Sequence, residues 1–201
     1  MMSRTHLAIG VAASLAAVQP QDPLECAAAL TCGALGAVIC DIDMMWKTRM
    51  RDVMSCLLTV SLLFLALLAA DLFTHYGAAA QLTGWIGERW IAGIALLAVM
   101  CVLGFFAEHR SFTHSLLGLT LFSAAVYMLI PQHCLGFIVG YASHILLDLM
   151  NRKPLRLMYP FRQGYCWYWC SASGKVNTLL MWVGIAASMV MVTGSLIMWA
   201  V

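Results

Sequence analysis

Charge is what this sequence has least of. Only 10% of its 201 residues are Asp, Glu, Lys or Arg, against roughly 25% in a soluble domain. The shortage excludes an ordinary water-soluble globule, since 63% of the chain is hydrophobic and the mean hydropathy is +0.88. A net charge of +2, with no basic run interleaved with aromatics, excludes a nucleic-acid surface. There is no internal repeat, no low-complexity linker and no persuasive signal-cleavage site, so the N-terminal stretch reads as retained. A paired CxxC motif is also missing. The eight cysteines are scattered, mostly inside apolar runs, and read as small hydrophobes instead of a disulfide framework. What remains is an all-α, polytopic integral membrane bundle forming one domain over residues 1–201.

Apolar runs separated by polar punctuation predict seven helical segments: Leu7 to Val18, Leu24 to Cys40, Val53 to Ala70, Ile91 to Ala107, Leu116 to Ile130, Leu135 to Met150 and Leu179 to Val201. Val53 to Ala70 is the cleanest span, near the ~20 residues a bilayer requires. The first segment ends at Gln19-Pro20, and Asp22-Pro23 supplies a cap-and-proline start for the second. These first two are short for spans and suit a re-entrant or partly buried hairpin. Their alanines and glycines, Gly33 and Gly36 among them, suit close helix packing.

Cytoplasmic loops carry the excess of Lys and Arg. With all seven segments crossing and the N-terminus inside, Arg4, Lys47, Arg49, Arg51, Arg110, Arg152, Lys153, Arg156, Arg162 and Lys175 fall on the cytoplasmic side. Only Arg89 falls outside. The expected location is a bacterial inner (plasma) membrane, multi-pass.

The same map gathers another set of residues that had no part in drawing it. His6 opens the first segment, Asp41 and Asp43 close the second, His109 and His114 bridge the fourth and fifth, and His144 and Asp148 end the sixth. Imidazole and carboxylate are the ligand set of a hydrolytic metal site, and both are costly near lipid without a role. His144 and Asp148, four apart, share a helix face. Asp41 and Asp43 sit where one can bind and the other orient a histidine. His109 and His114, five apart, need a break between them, with Ser111 or Thr113 capping the next helix. Each residue alone has an ordinary explanation as an interfacial or hydrogen-bonded group. His75, with Asp71 nearby, and His133 read as outer-side interface residues, and Tyr165 to Trp169 as an interfacial aromatic belt.

Three stretches carry a resemblance: His109-Arg110-Ser111-Phe112-Thr113-His114-Ser115, Asp41-Ile42-Asp43, and Gly140 to Asp148 with its Ser143-His144 and closing aspartate. Thr5-His6 and Tyr159-Pro160-Phe161 fit as well. In this order they resemble the YdjM-like family of membrane-bound, predicted metal-dependent hydrolases, over nearly the whole chain. The family is itself distantly similar to zinc-dependent phospholipase C and related all-helical phosphoesterases. The resemblance implies metal roles for His6, Asp41 or Asp43, His109, His114, His144 and Asp148. The chain departs from the pattern twice: Met44 stands where a histidine usually follows the aspartates, and Lys175 and Asn177 follow Gly174 where a glutamate is often found.

The expected function is hydrolysis of a phosphoester in a phospholipid or lipid-linked amphiphile by a divalent metal, zinc foremost, at the cytoplasmic end of the bundle. The metal would bring a water's pKa toward ~7. Whichever of Asp41 and Asp43 is not a ligand would serve as general base. Arg110 would steady a phosphate oxygen or act as a positive-inside anchor. Arg152, Arg156 and Arg162 would attract anionic head groups of membrane lipids. Two rivals stand beside it: a metal-ion or proton transporter, and a non-catalytic protein whose metal staples helices together.

Overall fold

A computed structural model describes residues 2–44, 88–172 and 174–200. Within them the chain is helical, and six of the seven expected segments are present as α1 (Ser3–Val18), α2 (Pro23–Ile39), α3 (Glu88–Phe106), α4 (Leu116–Leu129), α5 (Cys134–Leu149) and α6 (Lys175–Ala200). The expected span Val53 to Ala70 lies outside the described residues, as do Asp71, His75, Lys47, Arg49 and Arg51. Among the described residues, three segments are long and apolar enough to cross a membrane: Pro23–Met44, Arg89–Phe106 and Lys175–Trp199. The second segment, expected to be marginal, is among them, because a 3₁₀ turn over Cys40–Met44 extends α2.

Local chemistry sets the boundaries. Gln19 takes a left-handed conformation (φ 48°) directly before Pro20, and α1 stops there. At the start of α2, the Asp22 side chain accepts a hydrogen bond from the Glu25 N–H at 2.8 Å, and Pro23 follows. Both are the start signals expected from sequence. One cap differs. Ser115, not Ser111 or Thr113, caps α4 by accepting from the Gly118 N–H at 3.0 Å, because the 3₁₀ turn Phe112–His114 intervenes and moves the helix start onward.

The helices α1, α2 and α5 pack against one another, α6 lies along α1, and α3 pairs with α4. Small residues let the first three approach backbone to backbone. A Cβ on Gly36 would collide with the Phe137 carbonyl of α5, and one on Gly140 would collide with the Gly33 main chain of α2. Ser14 crosses the same seam, its hydroxyl donating to the Ala29 carbonyl at 2.7 Å. By contrast only 17% of the apolar window of α3 and 11% of that of α6 is buried in the chain. Ile91, Val102 and Phe106 of α3 and Trp182, Val190 and Ile197 of α6 are exposed, as expected of helices that face lipid.

Between α5 and α6, residues 150–172 fold back over the ends of α4 and α5. Main-chain bonds fix this strap. Leu155 and Tyr165 exchange bonds at 3.0 and 2.8 Å, the Trp167 N–H reaches the Leu149 carbonyl at 2.7 Å, and the Arg156 N–H reaches the Arg110 carbonyl at 2.9 Å. Its outer surface exposes Phe161, Trp167, Tyr168 and Trp169 beside Arg152, Lys153 and Arg162.

Candidate metal centre

Four separate stretches meet at one end of the bundle. The first turn of α1 brings His6, the 3₁₀ turn after α2 brings Asp41 and Asp43, the loop before α4 brings His109, Arg110 and His114, and the last turns of α5 bring His144 and Asp148. All eight residues singled out in the sequence are drawn together. His6, Asp43, His114, His144 and Asp148 are buried, with His114 and His144 both 0% exposed.

The break expected between His109 and His114 exists. Arg110 has φ 64°, a left-handed step uncommon for a residue with a side chain, and the 3₁₀ turn follows. The two rings thereby meet edge to face with centroids 5.2 Å apart. Tyr141 braces this turn, its hydroxyl donating to the Thr113 carbonyl at 2.5 Å.

Hydrogen bonds define which nitrogens are left for a ligand. The His144 Nδ1–H donates to the Ala37 carbonyl at 2.6 Å. A carbonyl only accepts, so Nδ1 carries the proton and Nε2 keeps its lone pair. Nδ1 of His114 lies 3.0 Å from the Thr113 hydroxyl, which itself donates to Asp43 Oδ2 at 3.0 Å. That hydroxyl proton is spent on the carboxylate, so His114 Nδ1 is the donor, and its Nε2 also keeps a lone pair. The two Nε2 atoms face each other at 3.2 Å. Two lone pairs at that separation repel unless a cation lies between them. Burial, with His144 adjacent, pushes the His114 imidazole down to about 4, so a proton is a poor candidate for that cation at neutral pH.

The carboxylates divide by role. Asp41 Oδ1 lies 3.7 Å from Nε2 of both His114 and His144, and its Oδ2 accepts from the Ser3 hydroxyl at 3.3 Å. Asp148 Oδ2 is 3.7 Å from His114 Nε2 and Oδ1 is 3.4 Å from His6 Nε2. Asp43 is turned to the outer side of the histidines. Oδ1 accepts from His109 Nδ1 at 3.0 Å, and Oδ2 accepts from the Arg110 N–H at 3.3 Å and from Thr113. Among the described residues, three groupings of atoms close enough for a metal result: His6, His144 and Asp148; Asp41, His114 and His144; and Asp43, His109 and His114.

The donor set fits a divalent cation. Ligand atoms about 2.0–2.1 Å from a tetrahedral zinc lie roughly 3.3–3.4 Å from one another, close to the 3.2 and 3.7 Å separations of the second grouping. His6 stacks on His144 at 3.8 Å, and its buried Nδ1 makes no hydrogen bond among the described residues. Arg110 turns inward. Its Nη2 meets Asp148 Oδ2 at 2.8 Å, Nη1 donates to the Lys153 carbonyl, and the buried Nε has no partner among the described residues.

The outlying residues are not part of this cluster. Arg156 pairs with Glu108 at 2.8 Å on the surface, Arg152 and Arg162 are exposed, and His133 sits at the opposite end of α5. Asn177 is buried against α1, where its Oδ1 accepts from the Met2 N–H at 3.2 Å and its carbonyl from Thr5 at 3.3 Å. Sequence reasoning missed the Ala37 carbonyl and the supports from Ser3 and Tyr141. Of these, Tyr141 lies within the Gly140 to Asp148 stretch already singled out.

Apolar helices enclosing a buried imidazole–carboxylate cluster define a class: helical membrane proteins with a candidate metal centre at one end of the bundle. Within that class the chain belongs to the YdjM inner membrane protein family, which matches it across residues 1–201. It is also similar to the inner membrane protein YdjM of Escherichia coli (strain K12) and to that of Shigella flexneri, each 36% identical over 61 residues. Those matches cover 27% of this chain and 31% of each relative. No solved structure matches.

Proposed function

We propose that this chain is a metal-dependent hydrolase of the inner membrane, acting on a phosphoester in a lipid or lipid-linked substrate. The observation that carries the reading is the pair of Nε2 lone pairs facing each other at 3.2 Å, with both rings fixed through their other nitrogens. His114, His144 and Asp41 would hold the cation, with His6 and Asp148 alongside. A bound divalent ion supplies Lewis acidity, which polarises a phosphoryl oxygen and acidifies water. Zinc suits the mixture of imidazole and carboxylate.

The chain's own groups then have distinct tasks. Asp43 orients His114 through Thr113 and holds His109 by its Nδ1–H, which leaves His109 Nε2 as an acceptor. His109 is the most open of these imidazoles, 33% exposed at the side chain, so its Nε2 can take the proton of an attacking water. Asp43 is therefore a positioning residue, and the general base moves from the aspartates to His109. Arg110 holds Asp148. The N–H groups of its guanidinium that neither Asp148 nor the Lys153 carbonyl takes are left to meet a phosphate oxygen. The exposed aromatics and arginines of the strap suit the membrane interface and anionic head groups. On the distribution of Lys and Arg, the chain crosses several times with its N-terminus and the cluster on the cytoplasmic side.

The test is elemental analysis of detergent-purified protein together with phosphate release from phospholipid and polyprenyl phosphate substrates. Stoichiometric metal and turnover, both lost in His144→Ala combined with Asp148→Ala, are expected. No metal, or turnover indifferent to that double substitution, would refute the reading.

Burial of the cluster favours a second reading, a structural metal site, since structural zinc sites are closed. In that case chelation would lower thermal stability while no phosphoester was ever hydrolysed.

A further inference from the structure

We infer that the cluster is built for one divalent cation per chain, centred on Nε2 of His114, Nε2 of His144 and Oδ1 of Asp41. The inference rests on the metal reading above and settles a point that reading leaves open, namely how many ions the three overlapping groupings hold.

The first argument is the supply of lone pairs. His144 belongs to both the His6–Asp148 and the Asp41–His114 groupings. Its Nδ1 is committed to the Ala37 carbonyl at 2.6 Å, so the ring has one free nitrogen, and a neutral imidazole nitrogen binds one ion. The two groupings cannot be filled together. The third is built on Asp43, whose oxygens already accept from His109, the Arg110 main chain and Thr113.

Charge gives the second argument. Asp41, Asp43 and Asp148 bring three negative charges into the bundle, and Arg110, itself 9% exposed, brings one positive charge 2.8 Å from Asp148. Counting the described side chains alone, with imidazoles neutral as ligands, the remainder is two negative charges, which one divalent cation cancels. A second ion would leave the buried cluster with an excess of two positive charges, and uncompensated buried charge is strongly disfavoured. The guanidinium thus stands where a second cation would otherwise be needed to neutralise Asp148.

The choice between groupings follows from what each carboxylate already holds. Around Asp41 the three ligand atoms lie 3.2, 3.7 and 3.7 Å apart. On the other side, Asp148 is already engaged by Arg110. His6 and Asp148 then flank the ion without being needed for its capture.

The full-length chain, stripped with a chelator in detergent, would be titrated with Zn²⁺ and separately with Mn²⁺. One zinc per chain by elemental analysis, with the six-line resonance of an isolated Mn²⁺, is expected. Two equivalents, or the spectrum of an exchange-coupled manganese pair, would overturn the single-ion inference and leave the metal reading standing. No binding of either ion would overturn both. The wild-type titration decides the count without any variant. His6→Gln then tests the placement. It should keep one equivalent at weaker affinity, and an abrupt fall to none would put the ion on the His6 side and sink the assignment.

Discussion

Nε2 of His114 and Nε2 of His144 confront each other at 3.2 Å, each ring pinned from behind by a hydrogen bond through its Nδ1. Neither residue can turn away. The Ala37 carbonyl fixes one ring and the Thr113–Asp43 pair fixes the other, so the approach of the two nitrogens is imposed by the helices that carry them.

Removing a support without touching a ligand atom should be felt as affinity. In Asp43→Asn the carboxylate that organises Thr113 and His109 is gone. We expect metal affinity to fall about 10–100-fold, measured by competition with a chromophoric chelator, with helicity by circular dichroism unchanged. Unchanged affinity would mean that Asp43 positions nothing.

Arg110→Met should destabilise the protein even in the absence of substrate. It removes the 2.8 Å guanidinium partner of Asp148, and breaking a buried pair from one side costs about 3–5 kcal/mol. Thermal unfolding in detergent reads this directly. A variant as stable as the parent would show that Asp148 is not held in this way.

Gly140→Leu attacks the frame beneath the cluster. The new side chain would run into the main chain at Gly33 one turn before His144, forcing α2 and α5 apart. Overpacking of this kind typically costs about 1–3 kcal/mol, and zinc retention should drop with it. Gly194→Leu makes the control, because nothing lies within 4 Å of its added Cβ.

Acid should weaken the metal-free protein in a defined window. Burial, with His144 beside it, lowers the His114 pKa from 6.5 to about 4, so the folded state binds its proton less readily than the unfolded chain. The stability this group contributes is complete above about 6.5 and lost as pH falls toward 4. The melting temperature should therefore decline across that range, and His114→Gln should flatten the decline.

Much of this was readable from the chain. Helix-length apolar runs, the Asp22-Pro23 start and the Gln19-Pro20 stop follow from local rules, and each one that falls within the described residues reappears in the structure. The gathering of His6, Asp41, Asp43, His109, His114, His144 and Asp148 followed from topology and the pattern of Lys and Arg. The division of labour between Asp41 and Asp43 did not. Two carboxylates two apart in a 3₁₀ turn point in directions set by what packs around the turn. Arg110 was equally opaque, since nothing in His109-Arg110-Ser111 says that the guanidinium turns inward to Asp148. The partner of His144 is a main-chain carbonyl, which every residue possesses and no residue type announces.

His6 and Asp148 meet at 3.4 Å, though 141 residues separate them. During synthesis the cluster therefore stays incomplete until the end of α5 has left the ribosome and docked against α1. On the proposed metal reading, loading with an ion is a late event of biogenesis, and a truncated product ending before α5 would leave the Arg110 guanidinium without Asp148.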